Sequence, residues 1–424
     1  MSNRPFRFIH ASDFHLDELP HGIAEIPDSL RDALVDAPYR AAGRVFELAI
    51  HEQVDFIVLA GDVLSPVDAG PRGWSFLVEQ FQRLAQRGIA VYWAGGEVDP
   101  PDAWPAAIDL PATVHVFSSE RAELVTHERD EEPLCHVLGI GSSPRGRIRA
   151  TDFVPPGDGL FSLVVAHGRA EAEQLARTEI NYWALGGRHE RETLATTSTV
   201  AQYSGTPQGR SPGELGPRGC LIVQVDDAGR ARTTFFPTDA VRLLHEQLTL
   251  PESVQADKLN RELAQREELQ RMLVSRAQSL LANHTGPDLL VSWTIRAPEA
   301  VASQLRSGTL AADLLSRLRA EFTVRRPGLW STSLVAARDV GAVDRLPADL
   351  FDQETILGEF MRTVRQWESD ALTPIDLEPL LGQRHAALAD ASAVKLSDVA
   401  LRNDVLGEVA LLGVDLLSPE ESRT

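Results

Sequence analysis

Phe8-Ile9-His10-Ala11-Ser12-Asp13-Phe14-His15-Leu16 is a short apolar run that ends in Asp-x-His. Phe6–His10 reads as a strand. Alternate residues of an extended segment face one side, so Asp13 and His15 point the same way just past its end. The arrangement recurs along the chain. Val54–Ala60 is apolar and ends in Gly61-Asp62, and Ala90–Ala94 runs towards Gly96-Glu97-Val98-Asp99. Leu163–Ala166 runs into His167-Gly168, and Tyr182–Leu185 into Gly186-Gly187-Arg188-His189. A lone Asp-x-His, or a Gly-Asp after an apolar strand, is most often a structural turn. Five such clusters in series, each at a strand exit, point instead to one assembled site.

Carboxylates and imidazoles together are a ligand set for hard divalent cations such as Mn²⁺. A two-metal site needs a bridging carboxylate and holds the attacking and leaving oxygens of an in-line displacement at phosphorus. Asp62, at a strand end behind Gly61, suits the bridge. Asp13, His15 and His189 would complete a first site. A second ion would use Asp62, His167, Glu97 and the residue at Gly187.

Strand-like and helical runs alternate as far as about Asp239. Pro27–Glu52 carries a helical pattern (Leu30, Leu34, Ala41, Val45, Leu48, Ala49), and Trp74–Gln86 is a helix ended by Gly88. Val114–Phe117 and Cys135–Ile140 are strands, Ala170–Arg177 is helical, and Thr199–Tyr203, Leu221–Val225 and Thr233–Phe236 close the segment, with Asp226-Asp227-Ala228-Gly229 as a hairpin turn. This predicts two sheets packed face to face with helices outside, an α/β (α+β) architecture over residues 1–240. Residues 241–345 predict a small α/β module: a helix over Ser253–Ala282, a strand over Leu289–Ile295, a helix over Pro298–Ala320 and a strand over Thr332–Ala336. Residues 346–424 predict a helical tail, with helices over Phe351–Ser369, Leu377–Ala389 and Leu396–Leu412.

Composition narrows the function classes. The chain has 424 residues with 43% hydrophobic content, enough for two or three domains and a large core. No apolar run reaches the length of a membrane span. Met1–Pro5 leads into a strand without an apolar signal segment, and Cys135 and Cys220 make no disulfide framework, so a reducing cytoplasm is the expected compartment. The net charge is -20, with 21 basic against 34 acidic residues over 1–240 and 20 against 27 beyond. Phosphate neutralisation supplies most of the affinity of nucleic-acid binders, so this chain alone is expected to bind DNA weakly.

At these clusters the chain resembles the calcineurin-like metallophosphoesterases. Within them it is most similar to the SbcD-type DNA repair exonucleases and their bacterial YhaO-like branch. The resemblance runs through Phe8–Leu16, Val54–Asp62, Tyr182–Gly186, Tyr203-Ser204-Gly205-Thr206-Pro207-Gln208-Gly209-Arg210 and Gly216-Pro217-Arg218-Gly219-Cys220. It implies a four-layer β-sandwich flanked by helices, with the α/β module as a cap and the helical tail as a partner-binding region. It also implies Mn²⁺-dependent phosphodiester hydrolysis, usually on DNA, and association with an SbcC-like, SMC-like ATPase. Carried over by position, Asp13, His15, Asp62 and His189 hold the first metal with Asp62 bridging, and His167 is a second-metal ligand. A homodimer is left open.

The chain departs from the pattern around the second ion. The family's Gly-Asn-His-Asp is here Gly96-Glu97-Val98-Asp99, so a carboxylate replaces the metal-binding amide and valine replaces the imidazole near the leaving group. General acid–base groups contribute about 10²–10⁴-fold, so that loss costs about 3–5 kcal/mol of barrier. The family's Gly-His-x-His is here Gly186-Gly187-Arg188-His189, which removes a second-metal ligand. One well-held Mn²⁺ and attenuated hydrolysis are expected, with Asp62, Glu97 and Arg188 as the catalytic candidates. Arg188 would stabilise phosphate charge, or else be a solvated arginine. The alternative is a non-catalytic scaffold or regulatory subunit of an SMC-like ATPase.

Arg210 and Arg218 are candidate phosphate contacts, although a tight loop closing the sandwich explains them equally. Arg145, Arg147 and Arg149 form the one dense basic run, which is usually a solvated face. His10 reads as a packed core histidine and the two cysteines as inert core thiols. The apolar stripe Leu401, Val405, Val409, Leu412 fits packing on this chain or on a partner's coiled coil.

Overall fold

The computed structural model describes residues 4–23, 26, 28–105, 108–141, 146–194, 199–252, 258–337, 348–369, 375–376, 395–396 and 399–417. They divide into two compact units. The first is Met1–Leu244 with His284–Leu290 and Arg326–Gly328, and the second takes the remainder from His245 on. The cap and the tail, expected as separate segments, share the second unit.

In the first unit the order is β1 (Phe6–Ala11), α1 (Asp28–His51), β2 (Phe56–Ala60), α2 (Gly70–Ala85), β3 (Ala90–Ala94), β4 (Val114–Phe117), β5 (Glu123–Arg129), β6 (Glu132–Ile140), β7 (Phe161–His167), α3 (Ala172–Leu175), β8 (Tyr182–Gly186), β9 (Glu192–Thr193), β10 (Val200–Tyr203), β11 (Gly219–Val225) and β12 (Ala231–Pro237). One six-stranded sheet is ordered β12-β11-β1-β2-β3-β4 and a second β5-β6-β7-β8-β10-β9. β1, β2, β3 and β4 run parallel, as do β6, β7, β8 and β10. The ends of β1, β2 and β3 therefore leave the first sheet along one edge, and those of β7 and β8 leave the second in the same way. In open sheets with parallel strands, that carboxyl edge is where ligand sites form.

Side-chain alternation builds the layers. Ile9, Ile57, Leu59 and Val91 face α1 and α2, meeting Val45, Phe46, Leu77 and Phe81. Phe8, Phe56 and Val58 face the second sheet, meeting Val137, Leu163, Val165 and Tyr182. The far side of that sheet buries Val164, Trp183 and Leu185 against Phe153, Leu175 and Ile180. The result is a four-layer sandwich of helices, two sheets and a thin outer layer, in which α3 forms a single α-helical turn where the sequence predicted eight helical residues. β5 was not anticipated. Its hairpin with β6 turns at Asp130-Glu131, both at positive φ (58° and 63°), a conformation that Asn-Gly signals in sequence and Asp-Glu does not.

β13 (Val241–Thr249) and β14 (Asp288–Arg296) each begin in the first unit and continue into the second, which also carries α4 (Lys258–Asn283), α5 (Glu299–Arg306), α6 (Thr309–Phe322), β15 (Leu329–Ala336), α7 (Ile356–Ser369) and α8 (Val399–Leu417), with the strands ordered β13-β14-β15. The single helix predicted over Pro298–Ala320 is two, broken where Gly308 turns left-handed (φ 87°). α8 buries Leu406 and Ala410 against Phe351, Met361 and Val364, with Val409 of the predicted stripe packed beside them and Leu412 exposed, and Arg306 reaches Asp415 at 2.7 Å. The helix expected over Leu377–Ala389 and Arg145 lie outside the described residues. Among the described residues no helix is long and apolar enough to cross a membrane.

His10 links the two sheets: its Nδ1 lies 3.0 Å from Tyr182 Oη and its Nε2 3.1 Å from the Leu185 carbonyl. Burial pushes its pKa down to about 3. An unfolded chain binds this proton near pH 6.5 and the folded one does not, so the stabilisation is complete above about 6.5 and is lost as the pH falls towards about 3. The melting temperature of metal-free protein is expected to drop over that window, and His10→Gln to make the drop shallower. An unchanged slope in the variant would contradict the assignment.

Candidate metal centre

The segments leaving β1 and β2 are zipped together by their backbones. The Asp13 amide donates to the Gly61 carbonyl (2.9 Å), that of His15 to Asp62 (3.0 Å) and that of Leu16 to Val63 (3.1 Å). This pairing holds Asp13, His15 and Asp62 at left-handed φ values of 55°, 44° and 53°. Non-glycine residues adopt such values at a cost of about 1–3 kcal/mol, and they concentrate where a site over-determines the backbone.

Asp13 is buried and accepts hydrogen bonds from Ser12 Oγ (2.5 Å) and from the Gly187 amide (3.0 and 3.2 Å to its two oxygens). Burial pushes its pKa up. Asp62 Oδ1 accepts the Val98 amide (3.0 Å), and its Oδ2 lies between two imidazoles, 3.3 Å from His167 Nε2 and 3.6 Å from His15 Nε2. Burial alone would raise the Asp62 pKa, but His167, the Val98 amide and His15 together hold it at about 2. His167 Nδ1 lies 2.9 Å from the Ala60 carbonyl, to which it donates, leaving Nε2 towards Asp62. Burial disfavours the charge on His167, yet Asp62 and Asp13 raise its pKa to about 9.

Asp13, His15 and His189 form one group whose ligand atoms lie within 4.8 Å of one another, and Asp13, Asp62 and His167 form another. Asp13 is common to both, and Asp62 Oδ2 stands between the histidines of the two groups, so two carboxylates rather than one span the centre. His15 supplies a direct test of fit. Both its ring nitrogens are buried without an aligned hydrogen bond, although Nδ1 lies 2.9 Å from Glu18 Oε1. A buried imidazole left in that state is a ligand in want of a cation. Asp13, His15, Asp62, His167 and His189 would hold a divalent ion.

The other predicted site residues are placed differently. Glu97 is exposed and joins neither ligand group. Arg188 pairs with Glu192 at the surface, its guanidinium 5.0 Å from the centre of the Tyr203 ring. Arg210 and Arg218 are corrected from phosphate contacts to buried residues. Arg210 pairs with Glu18 and Glu214, and Arg218 donates to the carbonyls of His189 (2.6 Å) and Leu215 (2.9 Å). Buried donors spent on the protein's own acceptors support the site from behind. Arg147, of the basic run, pairs with Glu171.

Sequence reasoning missed Asp99 and Glu214. Asp99 accepts the amides of Asp62 (2.8 Å), Gly96 (2.6 Å) and Val63 (3.0 Å) and the Trp93 indole N–H (3.0 Å), fixing the loop that carries Asp62. Burial pushes its pKa up to about 7 despite these donors. Its place in Gly-x-x-Asp was the available signal. Glu214, 25 residues beyond His189, gave none. Glycines make the approach possible: a Cβ at Gly96 would lie 2.2 Å from Asp62 Oδ1, and Gly187, at φ 96°, would place one 3.1 Å from His167 Nε2.

No protein-family model matches the chain. It is 28% identical over 232 residues to the protein described as "Uncharacterized metallophosphoesterase YhaO" of Bacillus subtilis (strain 168), a match covering 51% of this chain and 57% of that protein. The chain thus matches little more than half the length of that relative. Among solved structures, a dimetal phosphatase from Danio rerio LOC 393393 aligns at 9% identity over 54% of this chain and 98% of its own, with a TM-score of 0.33, too low to carry weight.

Two substitutions test the centre. Asp62→Asn is expected to lower the Mn²⁺ bound per chain, measured by elemental analysis after dialysis; unchanged stoichiometry would refute the ligand assignment. Gly96→Ala is expected to displace the Asp62 carboxylate and weaken Mn²⁺ binding about as much, whereas an unaffected variant would show that the loop yields without moving its ligand.

Proposed function

We propose that this chain is a calcineurin-like metallophosphoesterase, similar to the Bacillus subtilis relative, and acts as a Mn²⁺-dependent phosphodiesterase of attenuated rate on DNA. The observation that carries this reading is the convergence of Asp13, His15, Asp62, His167 and His189 from four chain segments onto one largely buried centre. A divalent ion there supplies Lewis-acid neutralisation of charge developing at phosphorus. The protein's part is placement. The Val98 and Gly187 amides and Ser12 hold the carboxylates, and the Ala60 carbonyl fixes the His167 tautomer.

Attenuation follows from what surrounds the centre. Val98 has no proton to give a leaving group. Gly187 brings no ligand, and Glu97 faces solvent. DNA as substrate rests on the resemblance to SbcD-type exonucleases, and the net charge of -20 limits what this chain holds unaided. Cys135 and Cys220 are free, buried thiols, in keeping with a reducing cytoplasm. The second reading is a non-catalytic subunit of an SMC-like ATPase. It is supported by Val98 and by the exposed Leu412, Leu416 and Leu417 of α8, an apolar end suited to a partner helix.

Hydrolysis of bis(p-nitrophenyl) phosphate and of labelled single- and double-stranded DNA in Mn²⁺ separates the two. Slow turnover in the native chain that disappears in Asp62→Asn is expected, and equal background in both would establish the scaffold. Val98→His is expected to raise turnover by about 10²-fold or more by returning a proton donor to the leaving-group side. An unchanged rate would mean that leaving-group protonation does not limit the reaction.

A further inference from the structure

We infer that Glu18 and Glu214, joined by the buried Arg210, form a clamp that orients both histidines of one half of the metal centre, His15 and His189, and so sets its affinity for a divalent cation. The inference rests on the metal-binding reading above and adds three residues to it.

His15 and His189 are 174 residues apart in sequence, yet their rings lie 5.1 Å apart and nearly perpendicular. Each presents Nδ1 to a different glutamate. His189 Nδ1 is hydrogen-bonded to Glu214 Oε1 at 2.5 Å, whereas His15 Nδ1 lies 2.9 Å from Glu18 Oε1 in an ion-pair contact that is not aligned as a hydrogen bond. A carboxylate on one imidazole nitrogen fixes the tautomer and turns the other nitrogen to a metal; removing such a carboxylate commonly costs about 10–100-fold in affinity.

One residue joins the two carboxylates. Arg210, only 2% exposed at its side chain, pairs through Nη1 with Glu18 and lies 3.6 Å from Glu214 Oε1 through Nη2. That Nη2 is also 3.2 and 3.4 Å from the two ring nitrogens of His189. Glu214 Oε2 accepts the Arg210 backbone amide at 2.6 Å, which ties the carboxylate to the same residue twice. Arg218 holds the backbone beside this ring by donating to the His189 carbonyl. A guanidinium can face two carboxylates from a rigid fork, whereas an ammonium is a single point charge. A buried arginine flanked by two glutamates is a costly element to keep, since replacing such a triad by apolar residues is often neutral or stabilising. Its position behind two ligand histidines gives it a use.

The test is the Kd of the full chain for Mn²⁺, read from free-ion electron paramagnetic resonance, for the native protein, Glu214→Gln, Glu18→Gln, Arg210→Lys and the ligand variant Asp13→Asn. Thermal unfolding of each metal-free protein is measured beside it. Binding that Asp13→Asn abolishes and that the two glutamine variants and Arg210→Lys weaken about 10–100-fold is the expected result. Glu18→Gln, at a partly exposed position, keeps the test intact should the more buried variants fail to fold. If Asp13→Asn abolishes binding while the clamp variants bind like the native chain and only melt earlier, the triad is merely structural and the inference falls, with the metal centre left standing. If the native chain binds no Mn²⁺, or Asp13→Asn binds it unchanged, the metal centre and the clamp both fall.

Discussion

Two carboxylates, Asp13 and Asp62, are buried close together past the ends of the adjacent parallel strands β1 and β2, and the surrounding structure answers that constraint. Charge is not tolerated in a low-dielectric interior unless hydrogen bonds and opposite charge compensate it. Here the compensation is supplied from every neighbouring strand exit: the Gly187 and Val98 amides, Ser12, and the imidazoles of His15 and His167. The left-handed backbone at Asp13, His15 and Asp62 brings those groups within reach, and the hydrogen bonds between the two loops maintain it. Asp99, with four donors on its own carboxylate, anchors the side that no imidazole reaches.

Much of this was legible in the sequence because the constraint leaves a periodic trace. A strand that is buried on both faces is apolar throughout, and a polar pair at its exit stands out against it. Asp13, His15, Asp62, His167 and His189 were all found in that way. The sandwich followed from the alternation of such strands with amphipathic helices. What periodicity does not carry was lost. The Asp130-Glu131 turn and its strand β5 lacked a turn signal, and Gly308 broke a helix whose apolar pattern continues across it.

The arginines show a deeper limit. Arg188, Arg210 and Arg218 were singled out because each lies next to a site motif and carries the charge that a phosphate would want. Sequence gives proximity along the chain but not the direction of the side chain. Three-dimensional pairing decides otherwise: Glu192, Glu18, Glu214 and the His189 carbonyl take up the donors first. In a chain of net charge -20, in which acidic residues outnumber basic ones 61 to 41, an arginine near any site is more readily claimed by a carboxylate than left to a ligand. Glu18 and Glu214 were invisible for the complementary reason: their partners lie far away in sequence or carry no motif.

The two halves of the centre are held in different ways. His15 and His189 keep a carboxylate behind each ring and a shared buried arginine, whereas Glu97 faces solvent and Gly187 contributes only its amide. The Gly187 amide hydrogen-bonds to Asp13, and the 3.1 Å that separates a would-be Cβ there from His167 Nε2 leaves little room for a ligand to be restored by simple substitution. His15, His189 and Asp13 are thus built into the fold through contacts that also order the backbone, while on the His167 side Glu97 and Gly187 add no ligand. On the proposed function, metal affinity would depend on the buttressed histidines and rate on a proton donor that Val98 does not supply, so such a centre would bind metal well and turn over slowly.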